Sequence, residues 1–270
     1  MQFGICNEIF KDWSFEKAFE CVKQTGYDGI EIAPFTCARY VTEVSSERRQ
    51  QIRELALRHA LEITGIHWVL VEAEGMHMTH PDKGIREKTQ RYFRDLVSFC
   101  HDLGGRSIVV GSPKQRNLED GVSLEQAADW AVEVFRPAIG DAEDKGITIC
   151  FEPLAPSETD FINTAAEAID FIHRIPSPAF KIILDVKAMC SMGKPIPDII
   201  RESWPEFAYF HANDANLKGP GFGDVDFVPI AAALKEVGYQ GYVSVEVFKF
   251  DEGPEAIATR SLDYLRQTFA

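Results

Sequence analysis

Apolar strand-like runs alternate with amphipathic helix-like runs along the 270-residue chain. That order constrains the fold strongly: each helix must carry the chain back before the next strand, so the strands lie parallel with right-handed crossovers. The first strand reads Gln2–Cys6. Ser14 caps a helix to about Thr25, where Gly26 stops it. Gly29–Ile32 follows and Pro34 ends it. Ser46 opens a second helix as its cap, without a capping box because Arg49 stands third. Leu61–Trp68 is a third strand, Gly84–Leu103 a long helix, Ser107–Val110 a fourth strand and Ser123–Lys145 its helix. The last strands are Thr148–Glu152, Lys181–Asp185, Phe207–His211 and Tyr242–Glu246. Their helices fall near Ala165–His173, Pro197–Arg201, Val228–Val237 and Pro254–Phe269.

Eight such units predict a single (β/α)8 TIM barrel over residues 1–270. No Pro/Gly/Ser-rich linker divides the chain. An open doubly wound sheet is the alternative, but it needs a phosphate-binding turn after its first strand. Asn7-Glu-Ile-Phe stands there, without GxGxxG.

The last four strands share a feature. Each stops on a residue able to hold a metal: Glu152, Asp185, His211 and Glu246. A charge ending an apolar strand is costly unless something pairs with it. In a barrel these ends converge on the active-site face. Three carboxylates and one imidazole suit a hard or borderline divalent ion; Mn²⁺ is favoured, with Mg²⁺ or Co²⁺ also compatible. Such a site suits proton abstraction next to a carbonyl, with the metal stabilising an enediolate and two glutamates exchanging the proton. Return of the proton to the opposite face epimerises; return to the neighbouring carbon isomerises; loss of a β-hydroxyl dehydrates.

Other polar residues face the same end. His67 ends the third strand, a hydrogen-bonded structural role being favoured over a substrate contact. Glu31 either pairs with a barrel Lys or Arg or lines the pocket. Glu158 lies in the loop over the site. Phe10, Trp13, Phe35 and Trp68 follow early strands and offer an apolar wall. Gly219, Gly221 and Gly223 suit a sharp loop or an anion cradle, the first being favoured. His59, His101 and His173 are read as surface or packing residues on helices.

The formal net charge of −14 argues against nucleic acid or an anionic membrane as partner. No apolar run is long enough to span a bilayer. Met1-Gln-Phe-Gly-Ile-Cys-Asn-Glu lacks the regions of a signal peptide. Six cysteines at 6, 21, 37, 100, 150 and 190 form no CxxC pair, so reduced thiols and a cytoplasmic location are expected. The expected partner is a small sugar or polyol, for a monomer or a homo-oligomer.

At these residues the whole chain resembles the xylose isomerase-like barrel superfamily, within it the sugar phosphate isomerase/epimerase group. Phe151-Glu-Pro-Leu, Leu184-Asp185, Phe210-His211-Ala-Asn-Asp, Gly221-Phe-Gly-Asp-Val-Asp226-Phe and Gly241-Tyr-Val-Ser-Val-Glu246 carry the resemblance. Similarity to the ketose 3-epimerase branch implies that Glu152, Asp185, His211 and Glu246 hold the metal. It implies that Glu152 and Glu246 exchange protons with substrate carbon, and that Glu158 binds substrate hydroxyls. Two positions depart from that branch: Ala188 stands where it carries a His, and Leu217 where it carries an Arg. Lys187 and Lys218 flank them and are candidate substrate contacts, favouring an anionic or differently shaped polyol over a free ketohexose. An inosose dehydratase-type lyase is the alternative within the superfamily. An endonuclease IV-like nuclease is disfavoured by the negative charge and few strand-end histidines. A non-catalytic sugar-binding barrel is the third class.

Overall fold

In a computed structural model describing residues 1–270, eight parallel strands close into one barrel in sequence order. The strands are β1 (Gln2–Cys6), β2 (Gly29–Ile32), β3 (Glu62–Ile66), β4 (Ser107–Val110), β5 (Thr148–Phe151), β6 (Phe180–Asp185), β7 (Phe207–Ala212) and β8 (Tyr242–Val245). The ring shuts where β8 pairs with β1, Phe3 opposite Val243. The helices are α1 (Phe15–Thr25), α2 (Ser46–Arg58), α3 (Lys83–Leu103), α4 (Leu124–Lys145), α5 (Ala165–Ile172), α6 (Val186–Met189), α7 (Ile196–Ser203), α8 (Phe227–Glu236) and α9 (Pro254–Thr268). No helix is long and apolar enough to cross a membrane.

Several ends move from the sequence-based expectation. Ser45, not Ser46, caps α2, accepting from Arg48 N–H. Helix α3 starts at Lys83, because Asp82 caps it through Gly84 N–H. Helix α7 is longer than expected, Ile196–Ser203. Strand β3 stops at Ile66, since Trp68 adopts φ +53°, which no strand allows. The one-turn helix α6 was not anticipated; the Asp185 side chain caps it, accepting from Ala188 N–H.

Period two along the strands sorts the side chains. Val109, Cys150, Ile183, Tyr209 and Tyr242 form a small buried cluster inside the barrel. Two residues farther along, the same face presents Gly111, Glu152, Asp185, His211 and Ser244, so the ligand-type residues point inward by strand geometry alone. The opposite faces of the strands feed the larger core beneath the helices. There Phe135 of α4 meets Phe93, Phe151, Phe171 and Phe180 with ring centroids 4.8–6.2 Å apart. Phe151 immediately precedes Glu152, so this aromatic packing steadies that strand end.

Phe135→Ala would empty the centre of this cluster. We expect a loss of about 3–5 kcal/mol in urea denaturation. A loss under 1 kcal/mol would show that the cluster does not support the barrel.

Candidate active site and metal centre

The last four strands deliver their polar ends to one point. Ligand atoms of Glu152, Asp185, His211 and Glu246 all lie within 4.8 Å of one another, and all four residues are buried. Glu152 and Glu246 stand one residue beyond β5 and β8, while Asp185 ends β6 and His211 is next to last in β7. Asp185 pairs in register with His211, and His211 with Ser244.

Each ligand-type residue is held differently. The carboxylate of Asp185 accepts from Ala188 N–H at 2.8 Å and from the Asn213 side-chain amide. Glu246 accepts from the Trp68 indole N–H at 2.8 Å through Oε1. Its Oε2 lies 3.1 Å from Nδ1 of His211. Glu152 is held through its backbone: the buried Arg116 donates to its carbonyl at 2.7 Å and stacks over Phe151. Nothing donates to its carboxylate. Gly111 makes room for it; a Cβ there would come within 2.3 Å of Oε2.

The charges respond to this crowding. Burial, then Glu246 and Asp185, push Glu152 well above the usual carboxylate range. Burial also lifts Asp185, to about 6, against the opposing pull of Lys187. For Glu246 burial acts upward, but the neighbouring His211 outweighs it and holds the carboxyl below its ordinary value. Burial pulls His211 down, yet Glu246 and Glu31 prevail and raise it.

A divalent cation fits this arrangement. His211 Nδ1 and Glu246 Oε2 are buried without a hydrogen-bond partner and face each other. Oxygen-rich donors with one imidazole match Mn²⁺ or Mg²⁺ chemistry. Removing such polar atoms from water is costly unless something satisfies them.

A cavity of about 250 Å³ opens on the centre, lined in part by Trp68, Glu152, Glu158, Lys187, Glu246 and Phe248. Lys187 Nζ donates to Glu158 Oε1 at 2.8 Å and lies 4.1 Å from the Phe248 ring centroid, so its charge is matched inside the pocket. Lys218 instead turns to Glu252 and does not line this cavity. His67 is fully buried and bound to Glu8 Oε2 at 2.8 Å, the structural alternative foreseen for it. Glu31 pairs with His211, not with a Lys or Arg. Of the early aromatics only Trp68 reaches the cavity wall; Phe35 stacks behind it at 6.0 Å. The 219–223 loop packs against Ser261, Tyr264 and Asp214 as a structural loop. His101 lies on α3, while His59 and His173 cap the C-termini of α2 and α5.

Sequence reasoning passed over Glu8, Gly111, Ser112, Arg116 and Phe248. Ser112 carries φ +49° and a buried hydroxyl without partner in the cavity wall. A non-glycine residue held in that region is a common mark of a functional site, but its backbone angle is invisible in sequence. Asn213 lies within a motif noted above, Phe210-His211-Ala-Asn-Asp, yet nothing local shows that it binds Asp185.

Two outcomes follow. Glu152, Asp185 and His211 all hold protons more tightly in the metal-free protein, so a cation must displace protons to bind. Mn²⁺ affinity, read by calorimetry in buffers of different ionisation heat, should fall from pH 7.5 to pH 5.5 with proton release. A flat profile would contradict the cage. Gly111→Ala should displace the Glu152 carboxylate and weaken Mn²⁺ binding at least ~10-fold without loss of helical signal in circular dichroism.

The sequence model of the xylose isomerase-like TIM barrel family matches residues 19–268. The chain is 26% identical over 253 residues to the D-psicose 3-epimerase of Ruminiclostridium cellulolyticum, covering 92% of this chain and 84% of that protein. It is 27% identical over 253 residues to the D-psicose 3-epimerase of Agrobacterium fabrum, covering 92% and 85%. The fold is similar to a crystal structure of D-psicose 3-epimerase in the presence of D-fructose: TM-score 0.87, 23% identity, 100% and 99% of the two chains. With that match running from within α1 to the end of α9, the protein belongs to the xylose isomerase-like TIM barrel family.

Proposed function

We propose that this chain is a divalent-metal-dependent sugar epimerase. It removes a proton from the carbon next to a substrate carbonyl and returns one to the opposite face. The observation that carries this reading is geometric: Glu152 and Glu246 line one small cavity, and with Asp185 and His211 their ligand atoms all lie within 4.8 Å of one another. The D-psicose 3-epimerases to which the chain is similar support the reaction class.

Glu152, Asp185, His211 and Glu246 would hold the metal, with Mn²⁺ preferred over Mg²⁺ or Co²⁺. Bound there, a divalent ion supplies Lewis acidity to the carbonyl oxygen and stabilises the negative charge that develops beside it. Glu152 and Glu246 take and return the proton from the two sides of the substrate carbon. Glu158 and Lys187 bind substrate hydroxyls as a neutral pair. Trp68 and Phe248 present aromatic faces that shield the reacting carbon from water.

Lys187 is matched by Glu158, Lys218 lies off the cavity, and Lys114 stands in the cavity wall. Neither Ala188 nor Leu217 lines the cavity, so its grip on the substrate differs from that of epimerases with a His and an Arg at those positions.

Solvent deuterium incorporation tests this. With Mn²⁺ in D₂O, wild type should label D-psicose, D-fructose or D-tagatose at the carbon next to the carbonyl, followed by NMR. Glu152→Gln and Glu246→Gln should each slow labelling by about 10²–10⁴-fold, the usual scale for a positioned acid or base. Wild-type labelling in both variants would refute the two-glutamate mechanism. Labelling accompanied by loss of a hydroxyl would indicate a lyase.

A further inference from the structure

Glu31 lies within β2, is fully buried, and has no lysine or arginine partner. Such a carboxylate is costly unless donors satisfy it. Its Oε2 has three: Nε2 of His211 at 3.1 Å, the Ser244 hydroxyl at 3.1 Å and the Cys6 thiol at 3.5 Å. They come from β7, β8 and β1, so the carboxylate is fixed from three strands of the closed ring.

An ionised carboxylate only accepts hydrogen bonds. The imidazole must therefore donate, which places a hydrogen on Nε2. The other nitrogen, Nδ1, then faces the cage, 3.1 Å from Glu246 Oε2 and without a hydrogen-bond partner. A histidine without the Glu31 contact could carry its single hydrogen on either nitrogen, and one of those forms blocks the cage.

We propose that Glu31 is a positioning residue for the metal centre: it fixes His211 as the Nε2–H tautomer, so that Nδ1 offers its lone pair to a divalent cation held with Glu152, Asp185 and Glu246. This rests on the metal reading above and adds the residue that presents one ligand. Outer carboxylates of this kind orient ligating histidines, and losing one typically weakens binding 10- to 100-fold.

The test uses the full chain stripped of metal, with Mn²⁺ titrated by calorimetry into wild type, Glu31→Gln, Glu31→Leu and His211→Ala. Wild type should bind one ion and His211→Ala should bind far more weakly. Glu31→Gln and Glu31→Leu should lose about 10- to 100-fold in affinity. Wild-type affinity in both Glu31 variants, beside a weakened His211→Ala, would overturn the role of Glu31 and leave the metal reading standing. Failure of wild type to bind Mn²⁺ would overturn the metal reading instead. A second ion lost only in the Glu31 variants would overturn the proposal, because Glu31 would then be a ligand itself.

A second readout needs no variant to fold. Ring ¹⁵N shifts of His211 in the Mg²⁺-loaded wild type should show Nε2 protonated and Nδ1 without a proton. A protonated Nδ1 would overturn the proposal. A purely structural Glu31 would lower the melting temperature in its variants while leaving Mn²⁺ affinity per folded molecule unchanged.

Discussion

Glu152, Asp185 and Glu246 place three carboxylates around one imidazole in a mouth that is nearly closed to water. Burial raises the cost of each charge, and each charge raises the cost of the next. The surroundings are arranged to offset that. His211 bridges toward Glu246, Lys187 sits beside the group with its own partner Glu158, and Asn213, Ala188 N–H and Trp68 donate to carboxylate oxygens. What remains unmatched is a set of inward-facing oxygens and one nitrogen, which is what a divalent ion requires.

The barrel makes such crowding tolerable by rigidity. Parallel strands fix the inward face at every second residue, and closure prevents any strand from sliding out of register. The Phe135 cluster anchors the residue before Glu152 from outside, while Arg116 ties its carbonyl from above. Gly111 leaves the space the carboxylate occupies. None of these residues needs to touch a substrate, yet each limits where Glu152 can be.

The substrate end of the cavity differs in logic from the metal end. There Lys187 is paired with Glu158, and Trp68, stacked between Phe35 and Phe248, stands in the wall beside Phe248. Trp68 joins the two ends, because its ring forms wall while its N–H holds Glu246. Its backbone takes φ +53° at this point.

The amino-acid sequence alone determined the eight-unit alternation, the parallel barrel and the inward direction of Glu152, Asp185, His211 and Glu246. Those properties follow from local periodicity and from strand ends, both of which are read along a single segment. Helix ends were legible to within a few residues, as at Ser45 and Asp82, because caps compete over short distances. Only the tertiary structure decided which groups meet. Glu31 lies 180 residues from His211, and Trp68 178 residues from Glu246. Their contacts, and those that turn Lys187 inward to Glu158 and Lys218 away to Glu252, exist only once the ring has closed. Hydrogen bonds and ion pairs act over a few ångströms, and sequence separation does not record which side chains come within that reach.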